Sequence, residues 1–599
     1  MPKLRHVFPA LILRRFHPLI ARLTVVSALV APMGAGFAAP ASKPSAAPGP
    51  AAGPGPASVA APTTTSAQIS PELQINRPLP LAPAQRGNRP KARPDVLAPA
   101  ATKLPEGLKD LIAPSSLALP DQPGQVRIRQ LRPLTYDQVQ ILAEVNNPEL
   151  KAIASEVDQA QSELRAQIAL WYPQIDLNIS QFPAYTRTER STIRAAGSNG
   201  TLTSIWAMDA SLEASWALIN PARTPRIAVA RDRFERDKNQ YLIGLRDLRL
   251  QAAQAYFELQ TADDQVQIGQ EGVRSSLVSL RDARARFQAG VATKLEVLEA
   301  ETQLARDEQL LTNALALQAI ARRALAALLD LPQEVTPTAA DPARVVGTWM
   351  PSLQQSILAA FAFREELDQV LLDISIANST ANASLANVQP LLRIFNSFGV
   401  GRSYGYLETG IQDPARPSNS SWSADNAFGL NLSWKLYDGG EARATYRRNK
   451  QVADENRYRF ADKRDQIRLE VEESFYELEK NNRNILTTSR EVISAREALR
   501  LARLRFQAGV TTQREVVDNQ RDLTQAEVRY SNAISEYNKR LIQLSRRTGL
   551  DKIATCPPAT LPPNKPQVSG ATDVPVEPLP LLPACPSRSV PSTTAAPGS

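Results

Sequence analysis

Arg286-Phe287-Gln288-Ala289-Gly290-Val291 returns unchanged as Arg505-Phe506-Gln507-Ala508-Gly509-Val510. The offset, 506 − 287 = 219, also carries Phe257-Glu258-Leu259 onto Tyr476-Glu477-Leu478, Glu308 onto Glu527, Asn313 onto Asn532 and Leu331 onto Leu550. Upstream it slips by one, so that Trp216 and Asn220 match Trp434 and Asp438. Two copies are too few for a solenoid and predict a pseudo-symmetric pair. In each copy the hexapeptide ends a helix, because Gly290 and Gly509 accept the left-handed conformation of a C′ residue. Thr293 and Thr512 then open the next helix, with Glu296 and Glu515 three residues on, the spacing of a capping box. Each hexapeptide is therefore read as the tip of a helical hairpin.

The helix before the first tip carries an apolar stripe through Phe234, Tyr241, Leu245, Leu248, Ala252, Ala255, Leu259, Ala262, Val266, Val273, Leu277, Leu280 and Phe287. Steps of three and four over so many turns make a coiled-coil seam. The prolines agree. Of 47, 24 precede position 151 and 12 follow 550, and none lies between Pro225 and Pro332 or between Pro417 and Pro557. Proline costs roughly 3 kcal/mol inside a helix, so both windows are free to form rods, expected over 226–287 and 441–506. Shorter helices, about 136–169 and 353–387, are expected beside them.

Strand-like sequence precedes each rod. In 205–218 the even positions Trp206, Met208, Ala210, Leu212, Ala214, Trp216 and Leu218 are apolar, against Asp209, Ser211, Glu213 and Ser215. In 428–437 Phe428, Leu430, Leu432, Trp434 and Leu436 alternate with Gly429, Asn431, Ser433 and Lys435. Period two with tryptophan at an end suits a membrane barrel strand, apolar toward lipid and polar toward water; a soluble sandwich strand with one buried face has the same pattern. Partner strands are expected near 174–186 and 390–406, with loops over 187–203 and 408–424.

Both ends of the chain differ from this body. Lys3, Arg5, Arg14, Arg15 and Arg22 precede the apolar run Leu23 to Met33, and small residues follow to Ala39. That order reads as a secretory signal over 1–39, and the apolar run is too short to span as a helix. Residues 40–130 form a Pro/Ala-rich stretch expected to be disordered, 131–345 and 346–550 are the two repeats, and 551–599 is a low-complexity tail. The only cysteines, Cys556 and Cys585, lie in that tail and are free to pair in an oxidising compartment. The only histidines, His6 and His17, lie in the signal. The mature chain thus lacks histidine bases and histidine metal ligands. With no Gly-rich phosphate loop and no cysteine cluster, neither cofactor, metal nor catalytic residue is expected. The net charge of +9 is spread along helix faces, which argues against a nucleic-acid partner.

Over roughly 133–550 the chain resembles the TolC-like outer-membrane efflux family. The likeness rests on Leu134-Thr135 leading to Asn147-Pro148-Glu149-Leu150, on Trp171-Tyr172-Pro173, on Trp434-Lys435-Leu436-Tyr437-Asp438-Gly439-Gly440 and on the two tips. Asn220-Pro221 replaces Asp-Gly-Gly in the first copy, and Arg364-Glu365-Glu366-Leu367 stands where the family has Arg-Pro-Glu-Leu. The resemblance implies a mixed α/β membrane protein: a homotrimer whose subunits each give four strands to a shared twelve-stranded barrel and their coiled-coil hairpins to a tunnel across the periplasm. It implies an outer-membrane location, and as partners a periplasmic adaptor and an inner-membrane transporter that supplies the energy. The family's tunnel narrows at carboxylates whose positions match Glu515 and Asp518. Glu515 also has the spacing to close a capping box, whereas Asp518 has no capping duty. For Gly290, Val291, Thr293, Gly509, Val510 and Thr512 the expectation is adaptor docking beside turn formation. The competing classes are a periplasmic adaptor, which carries one such hairpin, and a structural coiled-coil envelope protein, which needs no tryptophan-bearing strands.

Overall fold

In the computed structural model, residues 96–194, 197–409, 418–551 and 553–555 are described. The expected signal, its cleavage site, Cys556 and Cys585 lie outside these residues. The elements run β1 (Gln130–Leu134), α1 (Tyr136–Asn146), α2 (Pro148–Ile168), β2 (Gln174–Arg194), β3 (Gly197–Ile219), α3 (Arg223–Gln288), α4 (Lys294–Leu328), β4 (Val335–Ala339) and β5 (Gly347–Thr348). The second half follows as α5 (Leu353–Phe363), α6 (Glu365–Leu385), β6 (Leu391–Thr409), β7 (Ser418–Ser433), α7 (Glu441–Gln507), α8 (Gln513–Thr548) and β8 (Ala554–Thr555). Leaving aside the short strands β1, β4, β5 and β8, the two halves repeat one order: helix, helix, strand, strand, long helix, helix.

The first rod begins three residues before the expected 226 and ends one after 287, and the second begins at the expected 441 and ends one after 506. α3 has 66 residues and α7 has 67, each about 100 Å at 1.5 Å per residue. Each packs against the helix that follows its tip. Tyr256, Phe257, Leu245, Leu325 and Leu329 sit at the centre of one core, and Ile467, Val471, Leu541 and Leu544 at the centre of a second. Among the described residues no helix is long and apolar enough to cross a membrane.

The shorter helices are each broken in two. Asn147 is extended (ψ 123°), its side chain caps Leu150, and Pro148 opens α2, a residue suited to the first helical turn and unable to continue α1. Arg364 takes the same extended backbone between α5 and α6 without any proline. Its guanidinium is held by Glu366 at 2.9 Å and Glu470 at 2.6 Å.

The strands form one antiparallel sheet in the order β2-β3-β6-β7. They run further than the alternation indicated. Residues 187–194 and 197–203, expected as a loop, form a ladder from Arg187↔Ser204 to Arg194↔Gly197. On the other hairpin β7 begins at Ser418, opposite Tyr406, inside the stretch 408–424 expected as a loop. It stops at Ser433, so Trp434 and Leu436 lie in the turn to α7. Backbone pairing continues wherever two chains lie side by side, and these outer arms, rich in Ser, Thr and Gly, carry no apolar alternation in their sequence to mark them as strands.

Two further pairings were not anticipated. β1 lies parallel to β4, with Leu134 against Ala339, and β5 pairs with β8. The stretch 40–130, expected to be disordered, is ordered in its last part. Leu108 and Leu111 are buried in the first core, Val96 O accepts the Asp551 N–H at 2.9 Å, and Arg249 donates to Ala98 O at 3.0 Å. Two leucines cannot build a core of their own, but they fill a place in an existing one.

Candidate functional site

At the hairpin tips the first helix of each pair closes in the same way. Gly290 N–H donates to Phe287 O and Val291 N–H to Arg286 O, both at 3.0 Å; Gly509 and Val510 repeat the bonds to Phe506 and Arg505 at 3.0 and 2.9 Å. This is the Schellman pattern. Gly290 and Gly509 have φ of +74° and +75°. The valines that follow are left exposed, Val291 at 65% and Val510 at 70%.

The restarts differ. Thr293 forms the full capping box with Glu296. Thr512, expected to do the same with Glu515, makes no side-chain cap. The cause is local. Glu515 accepts from Arg505 at 2.8 Å and from the Thr511 hydroxyl, so its carboxylate is taken. In the first copy the position of Thr511 is Ala292, and Arg286 instead lies over the Phe506 ring, 4.3 Å from its centroid. That stack ties one tip to the other.

Asp518, one helical turn beyond Glu515, is half-buried among arginines: Arg521 is at 3.2 Å and Arg514 at 3.8 Å. Glu515 and Asp518 therefore share a patch with Arg505, Arg514 and Arg521, partners the sequence reading did not name. The i+4 and i+3 spacing of Arg514 and Arg521 with Asp518 was the available signal, whereas Arg505 reaches Glu515 across the tip, ten residues away. The exposed pairs are worth a few tenths of a kcal/mol each.

Behind the tips a cleft of about 610 Å³ separates the two hairpins. Its walls are mixed: Leu499, Phe506, Val516 and Leu523 line it beside polar contacts in which Arg503 donates to Ser275 and Gln520, and Gln513 donates to Ser279. No cluster of metal-ligating side chains occurs among the described residues.

At the opposite end of the rods the sheet has two chemically distinct faces. Its register lines up Ile175-Ala214-Asn396-Phe428, Leu177-Leu212-Phe398-Asn426 and Ile179-Ala210-Val400-Ala424 on one face. The alternate rows are Asp176-Glu213-Ser397-Ala427, Asn178-Ser211-Gly399-Asp425 and Ser180-Asp209-Gly401-Ser423. Aromatic residues bound the apolar face: Trp216 near the rods, and Tyr185, Trp206 and Tyr404 in one row farther out. Trp206 and Trp216 stand ten residues apart, about 34 Å along a strand and about 26 Å in height at a tilt near 40°. Trp206, Trp216, Phe428, Leu430 and Leu432 are all exposed.

The strand-to-helix junctions again match between copies. Trp216 Nε1 donates to Trp171 O at 3.0 Å and Trp434 Nε1 to Val388 O at 3.1 Å. Asn220 caps Ala222 at 3.1 Å, as Asp438 caps Gly440 and Ala442 at 2.8 Å, so the first-copy turn is closed without glycine.

Residues 141–330 and 364–550 match the family model for outer membrane efflux proteins. The outer membrane protein TolC of Vibrio cholerae is 23% identical over 425 residues, 68% of this chain and 89% of the relative. The pyoverdine export outer membrane protein OpmQ of Pseudomonas putida is 25% identical over 448 residues, 71% of this chain and 87% of the relative. Among solved structures the CusC channel superposes with a TM-score of 0.56 at 17% identity, over 76% of this chain and 99% of the other. The MtrE outer membrane channel of Neisseria gonorrhoeae gives 0.52 at 16%, over 77% and 97%. These likenesses carry the fold: long helices joined to a sheet.

Proposed function

The chain belongs to the outer membrane efflux protein family, a transport channel of the outer membrane and not an enzyme, and from that premise we propose that three copies close one passive conduit. Each would supply four strands to a twelve-stranded barrel and two hairpins to a periplasmic tunnel. The observation that carries this reading is the open sheet: β2 and β7 are long strands whose outer edges have no partner among the described residues, on a sheet whose apolar face is exposed. Unpaired edges are excluded from hydrocarbon, and closure by identical subunits removes them.

The exposed valines and glycine turns at the tips fit docking of a periplasmic adaptor, with an inner-membrane transporter supplying the energy. We assign Glu515 and Asp518 to the constriction. Threefold repetition makes each a ring, where like charges crowd and cations are attracted; Arg514 and Arg521 moderate that field within each subunit. The first 39 residues serve as an export signal absent from the mature protein, which N-terminal sequencing checks.

Purified protein reconstituted in planar bilayers tests the conduit. Discrete, cation-preferring channels from a heat-modifiable trimer support it, and a soluble, non-conducting species would reject it. Asp518→Asn with Glu515→Gln should raise single-channel conductance and weaken block by divalent cations. Conductance and block identical to the parent would leave these acids with a structural role alone.

A further inference from the structure

The apolar face of the sheet carries one charge where none is expected. Between the Trp216 row and the Trp206 row its residues are apolar or uncharged, with the single exception of Arg402. Arg402 on β6 stands directly opposite Met208 on one side and Trp422 on the other. It is exposed, and its side chain makes no ion pair or hydrogen bond among the described residues. The nearest acid in register, Asp209, lies opposite Gly401 and so on the other face. A lipid-facing arginine is costly at the membrane centre and tolerated toward the interface. Arg402 is one row inside Trp206 and Tyr404, about 7 Å along the strand, a distance its side chain spans by extending toward the headgroups.

β6 leaves the rods at Leu391 and reaches Arg402 eleven residues on, so this row belongs to the leaflet away from the periplasm. We propose that Arg402 binds the phosphate of an anionic lipid in the outer leaflet, with Trp206, Tyr404 and Trp422 flanking the lipid at the level of its headgroup. The inference rests on the barrel reading above. The protein offers the guanidinium no counter-ion, whereas a phosphate oxygen pair matches its planar fork. The ligand is therefore set by depth and charge together: an anion that lies at the interface because it is part of the bilayer.

Tryptophan fluorescence of the reconstituted trimer tests this, because Trp206 and Trp422 flank the site. Vesicles of phosphatidylcholine would contain a minor fraction of brominated phosphatidic acid or, in parallel, of brominated phosphatidylcholine. The anionic lipid should occupy the site about fivefold more strongly than the neutral one, the effect of one basic residue near a membrane surface. Arg402→Gln should abolish the preference and Arg402→Lys retain most of it, each compared as a heat-modifiable trimer. Equal quenching by both lipids in the parent, or a preference that survives Arg402→Gln, overturns the assignment and leaves the barrel intact. Loss of the preference on adding inorganic phosphate would make this a soluble-anion site and overturn it as a lipid site. Quenching by neither lipid would instead remove the sheet from the bilayer, and the barrel reading with it.

Discussion

Gly509 holds φ +75° with nothing within 4 Å of the place a Cβ would occupy, and Gly290 is the same. Space is therefore not what selects glycine there; the left-handed backbone is, at roughly 1 kcal/mol for an L side chain. Gly509→Ala should raise hydrogen exchange at the Val510 amide, which closes the Schellman pair onto Arg505 O, about fivefold, and Gly509→Asn less. An unchanged rate would mean that packing against neighbouring tips sets the turn. The two threonines after the glycines give a sharper contrast. Thr293→Ala removes a formed capping box and should cost about 1 kcal/mol, read as faster exchange at the Glu296 amide. Thr512→Ala, where the cap is absent, should leave the first turn of α8 unaffected. The Thr-x-x-Glu spacing is the same in both copies. What distinguishes them is a residue outside the motif, Thr511 against Ala292, together with the arginine it shares Glu515 with.

Among the elements, the rods were legible and their surroundings were not. Proline-free windows and a stripe rich in alanine fix α3 and α7 within a few residues, because a long coiled coil depends on local periodicity alone. The break at Asn147 was signalled by Pro148. The break at Arg364 had no such signal, since it is held by ion pairs with residues as distant as Glu470. β1 and β4, each containing a proline, pair across 205 residues (335 − 130), a distance no local pattern records. The start of α6 also makes a pH prediction. Burial raises the Glu366 carboxyl, but Arg364 and Arg546 outweigh it and bring the value down to about 2, against an ordinary 4.5. Its stabilisation, roughly 3 kcal/mol, is thus complete above the ordinary value and fades as pH falls from there toward 2. Glu365 behaves in the opposite sense. Burial raises it despite Arg246 at 3.2 Å, and its oxygens accept no hydrogen bond from another residue. It is a cost at neutral pH that lessens on acidification. Denaturation midpoints at about pH 7 should therefore fall for Glu366→Gln and hold or rise for Glu365→Gln, because Asp551 at 3.1 Å still pairs with the buried Arg246. A large loss for Glu365→Gln would show that its charge is needed to neutralise Arg246.

For the whole molecule, the duplication explains how one chain builds a structure with two ends of different chemistry. Each half carries a strand pair and a hairpin, joined where a tryptophan indole donates to a backbone carbonyl, Trp216 to Trp171 and Trp434 to Val388. The strands thus leave the rods in equivalent orientations, and β3 and β6 pair along nearly their full length to merge the two halves into one sheet. That merger fixes which face of all four strands is apolar, because a slip of one residue would turn every side chain over. Adjacent positions on β3 make the consequence measurable. Leu212 lies between Leu177 and Phe398, whereas Ser211 lies between Asn178 and Gly399. Leu212→Arg places a charge deep on the lipid face and should cost about 2–4 kcal/mol, seen as loss of the heat-modifiable trimer. Ser211→Arg, beside Gly399 with its missing side chain, should assemble normally and reduce cation preference in the bilayer, since it adds positive charge to a face that carries Asp176, Asp209, Glu213 and Asp425. If Leu212→Arg assembled and Ser211→Arg did not, the polar face would be the one against lipid and the conduit would be inside out. No arrangement of four such strands tolerates both changes equally, because the two side chains leave the same strand in opposite directions.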